Sequence, residues 1–367
     1  MKRSLTWAAA LVAFLAVGCG ALKPMKLSSL QPGLYSATTG LPLFASELIS
    51  FEQANAALLT PQGHPAFNPA PFPDDKALQF KANRQFCRDT FRLPDISHPV
   101  SGIKRIPMPP GAMQFTPAGL CMDEVEITNL DWRLFVSDVF PADSASAAQN
   151  AALLPDKAAL PVKDYYTSPF YNFYPVVGIG YDQAQLFCEW RSQQVNELFQ
   201  RSGDKSLVGI VCDYRLPTEA EWEKAAQVRS GQPYGTSCTE LPVRVAEGAA
   251  AYLQKRSGSA TPVAQIKNDI AAYNKQRPVR NWIAYAQPEP YFLRLASPQY
   301  VYQGPANDFG LCQMLGNAAE MVAERGITKG GSYRDALAAC TIKARGHYTG
   351  PVATVGFRTV CTVRRVQ

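Results

Sequence analysis

The stretch Tyr214-Arg215-Leu216-Pro217-Thr218-Glu219-Ala220-Glu221-Trp222-Glu223 decides how this chain is read. Its first four residues, Tyr214-Arg215-Leu216-Pro217, lead into a capped helix. Thr218 followed by Glu221 is a capping box, which predicts a helix starting just after Thr218 with Trp222 and Ala225-Ala226 on its apolar face. Upstream, Tyr174-Pro175-Val176-Val177-Gly178 reads as a short buried strand. It feeds a helix from about Asp182, whose apolar positions Ala184, Phe187, Cys188, Val195 and Leu198 fall near helical spacing. Further upstream, Met122-Asp123-Glu124-Val125-Glu126-Ile127-Thr128 alternates like a strand. Thr128 with Asp131 then caps a helix through Trp132, Phe135 and Val139. Downstream the chain is marked by glycines: Phe309-Gly310-Leu311, Met314-Leu315-Gly316-Asn317, Gly330-Gly331-Ser332-Tyr333 and Gly356-Phe357-Arg358. Two insertions, 141–170 and 236–303, separate these blocks, the second with one helix near Ala264 to Tyr273. A few short helices among many turns predict an irregular α+β domain with long loops, not a repeat or a doubly wound sheet.

The N-terminus reads as an export signal. Lys2 and Arg3 precede an apolar run, Leu5 to Val17. That run is too short for a membrane-spanning helix, which needs about 20 residues. Small residues then lead into Cys19, so residues 1–18 read as a lipoprotein signal peptide and Cys19 as a lipid-modified N-terminus. Residues 19–102 read as a lead-in or stalk, broken by Pro65, Pro69, Pro71 and Pro73, with a short helical piece near Glu52 to Leu59. The globular domain then occupies 103–367. A content of 47% hydrophobic and 18% charged residues is that of a folded globular protein. The net charge of +6 is dispersed, without the basic runs of a nucleic-acid surface, so no nucleic-acid partner is expected.

Cys87, Cys121, Cys188, Cys212, Cys238, Cys312, Cys340 and Cys361 remain once Cys19 is assigned to lipid. Outside the cytoplasm they permit disulfides, one or two at most, and none forms a CxxC motif. His64, His98 and His347 are scattered without ligand spacing.

The ordered anchors resemble the formylglycine-generating enzyme (sulfatase-modifying factor) family. They run from Glu126-Ile127-Thr128-Asn129 and Pro175-Val176-Val177-Gly178 through Arg215-Leu216-Pro217-Thr218-Glu219-Ala220-Glu221-Trp222-Glu223 to Gly330-Gly331-Ser332-Tyr333 and Gly356-Phe357-Arg358. The resemblance, over about 103–363, implies that family's C-type-lectin-related fold. Its oxidases hold Cu(I), a soft ion, between two thiolates. Here those positions are Asp335 and Cys340, a mismatched pair, so copper is not expected and catalytic residues are none, with Cys340 the candidate only if the enzyme alternative holds. The family's calcium loop maps onto Gln313, Gly316, Ala318 and Glu320, leaving a structural calcium open; no other cofactor is expected.

The Gly-Gly-Ser-Tyr-Arg334-Asp335 signature with Arg345 resembles the family's non-catalytic lipoproteins, which build a periplasmic ring for type IX secretion and gliding motility. The resemblance therefore implies a lipid-anchored scaffold on the outer membrane facing the periplasm, with envelope proteins in a homo- or hetero-oligomeric ring as partners. An oxidase acting on protein cysteine and a lectin-like ligand-binding module are the alternatives, and fold alone does not choose among them. Gly330, Gly331 and Asp335 read as a structural turn, the aspartate bonding local backbone. Cys340 reads as buried packing or half a disulfide, and the Asp123, Glu124, Glu126 cluster as a solvated strand edge rather than an acid–base pair.

Overall fold

The computed structural model describes residues 38–39, 109–116, 118–139, 152–168, 171–201, 204–227, 241–242, 245–280, 283–286, 290–301, 306–307 and 309–366. The signal, Cys19, Cys87, Cys238 and the helical piece near Glu52 lie outside these residues.

One four-stranded antiparallel sheet runs in the order β1 (Ala112–Gln114), β2 (Leu120–Asp123), β10 (Val360–Arg365) and β3 (Ile210–Arg215). The last strand of the chain thus lies between its second and third, with Cys361 opposite both Cys121 and Tyr214. α1 (Asn129–Val139) and α2 (Tyr181–Arg201) precede β3, and α3 (Glu219–Ala226) follows it. An edge strand needs its free backbone groups covered. On β3 the cover is α2: Asn196 donates to the Cys212 carbonyl at 2.9 Å and accepts from the Cys212 N–H at 2.8 Å, while the Tyr214 N–H donates to Ser192 Oγ at 2.8 Å.

Both capping boxes exist. Thr218 Oγ1 accepts from the Glu221 N–H, and the Glu221 carboxylate accepts from the Thr218 N–H at 2.9 Å. Asp131 closes the same arrangement on Thr128. α2 buries Ala184, Phe187, Cys188 and Val195 of the expected stripe and also Trp190, Arg191 and Phe199, while Leu198 is only partly buried. Trp132 of α1 stacks on Phe187 of α2 at 5.6 Å between ring centroids, with Phe357 edge-on to both.

The described part of the second insertion folds as β4 (Leu241–Pro242), α4 (Ala250–Ser257), α5 (Val263–Lys275) and β5 (Val279–Arg280), with β4 and β5 paired. The helix expected near Ala264 is α5. α4 has no counterpart in the sequence reading: it buries Ala250, Tyr252, Leu253 and Arg256, and ends on Gly258 in the left-handed conformation. Ile266 and Ile270 of α5 join Tyr165, Tyr171 and Tyr174 in one buried cluster, so the first insertion and the second share a core.

A second sheet has the order β8 (Gly346–His347), β7 (Ile327–Lys329), β6 (Ala319–Met321) and β9 (Val355–Gly356), with β6 and β9 parallel. The strand expected over 122–128 is displaced: β2 ends at Asp123, and the chain from Glu124 to Ile127 is irregular because Arg358 draws the Asp123 and Glu124 carbonyls inward. Tyr174 to Gly178 is buried but joins no ladder, held by a bridge between Thr128 and Pro175 and by a bond from the Val176 N–H to the Ile127 carbonyl. No helix among the described residues is long and apolar enough to cross a membrane.

Candidate functional site

The motif at 214–223 assembles the site by placing one end on each sheet. Arg215 leaves β3 and grips Glu221 with two bonds of 2.7 Å. Trp222 turns inward from α3, and its indole N–H donates to Glu320 Oε2 on β6 at 2.7 Å. Glu219 and Glu223 hold the Lys329 ammonium of β7 at 3.2 and 2.8 Å.

Behind Trp222 lies a buried ionic centre. Arg358 Nε donates to both Glu320 oxygens at 2.8 Å, and its two terminal nitrogens reach the Asp123 carbonyl at 3.0 Å and the Cys312 carbonyl at 2.9 Å. Glu126 stands farther off, 4.0 Å from Arg358, with Asn317 Nδ2 donating to its Oε1 at 2.8 Å. All three charged side chains are fully enclosed. Two carboxyls face one guanidinium, which cannot deprotonate, so only one of them is balanced as an anion. Glu320 has the close bonds and takes that role. Burial, against the pull of Arg358 and with the push of Glu320, drives the Glu126 carboxyl up to about 8.

The solvated-edge reading of Asp123, Glu124 and Glu126 is therefore corrected. Asp123 Oδ2 accepts from Arg191 Nη1 at 2.8 Å and from the Thr359 N–H at 2.7 Å, and all three acidic residues are buried. The cluster faces inward because two arginines of distant sequence, Arg191 and Arg358, lie inside the fold. Sequence reasoning misses Arg191. Its signal is its place on the apolar stripe of α2, between Cys188 and Val195.

The glycine-marked turn carries the positions equivalent to the copper pair. Gly331 has φ +68°, and a Cβ there would stand 2.8 Å from Cys340 Sγ, so only glycine lets the sulfur in. Asp335 Oδ2 accepts from the Ser332 N–H at 2.8 Å and from Ser332 Oγ at 2.6 Å, which closes the turn locally. Cys340 is fully enclosed among Trp222, Met314 and Ile342, and its thiol donates to the Ser332 carbonyl at 3.7 Å. Burial, reinforced by the nearby Asp335 charge, pushes this thiol up to about 12. Neither Cys312 nor Cys361 joins it: Cys312 packs with the insertion helices, and Cys361 interacts with Cys212 and Cys121 in the first sheet. All six described cysteines are buried, and no disulfide joins any two of them.

This donor set does not fit Cu(I). The ion wants thiolates, and the pair offers one enclosed, protonated thiol and a carboxylate already bonded to its own turn. The calcium positions fare no better. Glu320, the only carboxylate among them, is committed to Arg358 and Trp222. Gln313, Gly316 and Ala318 bring no carboxylate of their own. A calcium shell needs several free oxygens, normally with more than one carboxylate. Among the described residues no group of three or more His, Cys, Asp or Glu is placed to hold a metal ion.

A turn-rich α+β domain built on these glycine loops and a tryptophan-capped ionic centre has the formylglycine-generating-enzyme type of fold. The sulfatase-modifying factor enzyme 1-like domain, FGE-sulfatase, matches residues 97–363, and the chain belongs to that family. Among solved structures, PvdO from Pseudomonas aeruginosa is similar at 14% identity, covering 74% of this chain and 90% of that one, with a TM-score of 0.41. Treponema denticola variable protein 1 is 17% identical over 66% of this chain and 84% of that one, with a TM-score of 0.36. CarF is 14% identical over 68% and 87%, with a TM-score of 0.33. No curated protein matches.

Proposed function

We propose that this chain is a lipid-anchored, non-catalytic member of its family. In this reading it is tethered through Cys19 at the outer membrane facing the periplasm, and it serves as a protein-binding body in an envelope machine of the type IX secretion or gliding-motility kind. The observation that carries the reading is the pair Asp335 and Cys340. At the positions where the family's oxidases carry two thiols, a carboxylate closes a turn on Ser332 and a lone thiol is enclosed and held protonated. A buried, protonated thiol is a poor nucleophile, and a single sulfur supplies half of the two-thiolate set that holds Cu(I). The oxidase alternative would need a second cysteine beside Cys340, and the other described cysteines lie in other clusters.

Crosslinking in intact cells followed by identification of co-purified proteins tests the reading. The expected result is a multi-copy assembly with other envelope proteins. Recovery of the chain solely as a free monomer, under conditions that preserve known envelope complexes, would overturn it.

A further inference from the structure

Thr38 and Thr39 lie far from the domain in sequence, yet both are buried against it. The Thr38 carbonyl accepts from Arg191 Nε at 2.9 Å, and the Thr38 hydroxyl bonds Asp131 Oδ1. Neither partner is a loose surface group. Asp131 uses its other oxygen to cap α1 through Thr128. Arg191 is fully enclosed, lies 4.1 Å over the Tyr214 ring, and spends Nη1 on Asp123 and Thr359. Its Nη2 donates to the Pro110 carbonyl at 2.8 Å. A buried guanidinium must have its N–H groups met, and Nε is met by Thr38.

One guanidinium therefore pins two points of the chain, Thr38 and Pro110. Whatever path residues 40 to 108 take, they leave and return at the same arginine. They add nothing to the distance the domain can stand from an anchor upstream of Thr38.

We propose that Thr38-Thr39 is a clasp that fastens the lead-in to the domain. With Cys19 as the anchor, residues 20–37 are the stretch between anchor and clasp, and their length limits how far the domain can stand from the membrane. The clasp stands on the contacts above, and only its membrane consequence rests on the lipid anchor proposed for Cys19. Fully extended, the chain from Cys19 to Thr38 reaches at most about 65 Å. Hung from Pro109 by the whole lead-in, the domain could stand about 300 Å away.

The test uses the full chain with Cys19→Ser, so that its outcome is independent of lipid, and with a sequence-specific protease site placed between residues 60 and 70. After cleavage, the N-terminal fragment is expected to co-elute with the domain, one fragment per domain. Thr38→Asp, which sets a carboxylate against Asp131, is expected to weaken that retention at least tenfold. Separation of the unsubstituted fragment from a folded domain would overturn the proposal, and so would exchange of the fragment between isotopically labelled and unlabelled uncleaved partners, which would make the occupant a second chain. Hydrogen exchange on the uncleaved chain gives a second reading. Amides of residues 38 and 39 are expected to be protected, and exchange at the rate of an unstructured peptide would overturn the clasp. Palmitate labelling of the unsubstituted chain reports on the anchor separately.

Discussion

The ionic centre around Arg358 and the turn around Cys340 both abut Trp222, and they differ in what holds them. In the centre, charge is buried and answered across the whole fold: Arg358 from the end of the chain meets Glu320, Glu126 and the Asp123 carbonyl. At the turn the side-chain contacts are local, since Asp335 bonds Ser332 and Cys340 bonds the Ser332 carbonyl, and only backbone bonds tie it to Ala286, Gly316 and Asn317. The difference teaches which motif residues serve the fold. Arg358, Glu320, Trp222 and Asn317 knit two sheets together, so their loss is felt everywhere, whereas the side chains of Asp335 and Cys340 serve the turn itself and the cysteine is packing.

The contrast can be broken most directly at Arg358. Arg358→Met leaves Glu320 buried without its counterion, and urea unfolding should show a loss of about 3–5 kcal/mol, close to the whole stability of an ordinary domain. Replacing Glu320 by Met in the same chain should recover part of that loss, because no uncompensated charge remains. Next in size is Gly330→Ala. Gly330 has φ +85°, and a Cβ there would stand 2.7 Å from the Met314 carbonyl. The substitution should cost about 2–3 kcal/mol in the same assay. Gly350→Ala, with nothing within 4 Å, should be neutral.

The pH dependence sharpens the comparison further. The folded Glu126 carboxyl is raised to about 8 from an ordinary 4.5, so between those values the folded state keeps a proton that the unfolded state has lost. This group's contribution to stability is present in full below the ordinary value, and it is lost as pH rises to about 8. Glu126→Gln should flatten that part of the stability–pH curve, and an unchanged slope would place the titration elsewhere. Apart from the neutral Gly350→Ala, the smallest effect belongs to the turn's thiol: Cys340→Ala should cost about 1 kcal/mol by thermal melting. The native thiol should resist alkylation at neutral pH until the protein unfolds.

The parts of this molecule that are legible in sequence are the local ones. Thr218 with Glu221 and Thr128 with Asp131 announce helices because their bonds close within one turn. The stripe from Ala184 to Leu198 announces α2 for the same reason. The acidic run from Asp123 to Glu126 reads as solvated because its counterions stand at Arg191 and Arg358, and no local pattern reveals a partner that far along the chain. Arg191 itself carries a usable sign, an arginine in the middle of an apolar stripe. Thr38 carries none: it sits in a proline-broken lead-in with no motif, and only the fold shows which carboxylate and guanidinium it meets. At the candidate site, the residue types at 335 and 340 are readable from the Gly-Gly-Ser frame. That Asp335 is spent on its own turn and Cys340 is walled in by Trp222 and Ile342 follows only from packing.

The central claim is that the Asp335–Cys340 pair is a turn and a packed thiol, not a copper site. Titration of the purified, reduced domain with Cu(I) against a competing chelator measures this directly. The account predicts no tight one-to-one binding and no change on Cys340→Ala. Stoichiometric, high-affinity binding that disappears with Cys340→Ala would contradict it.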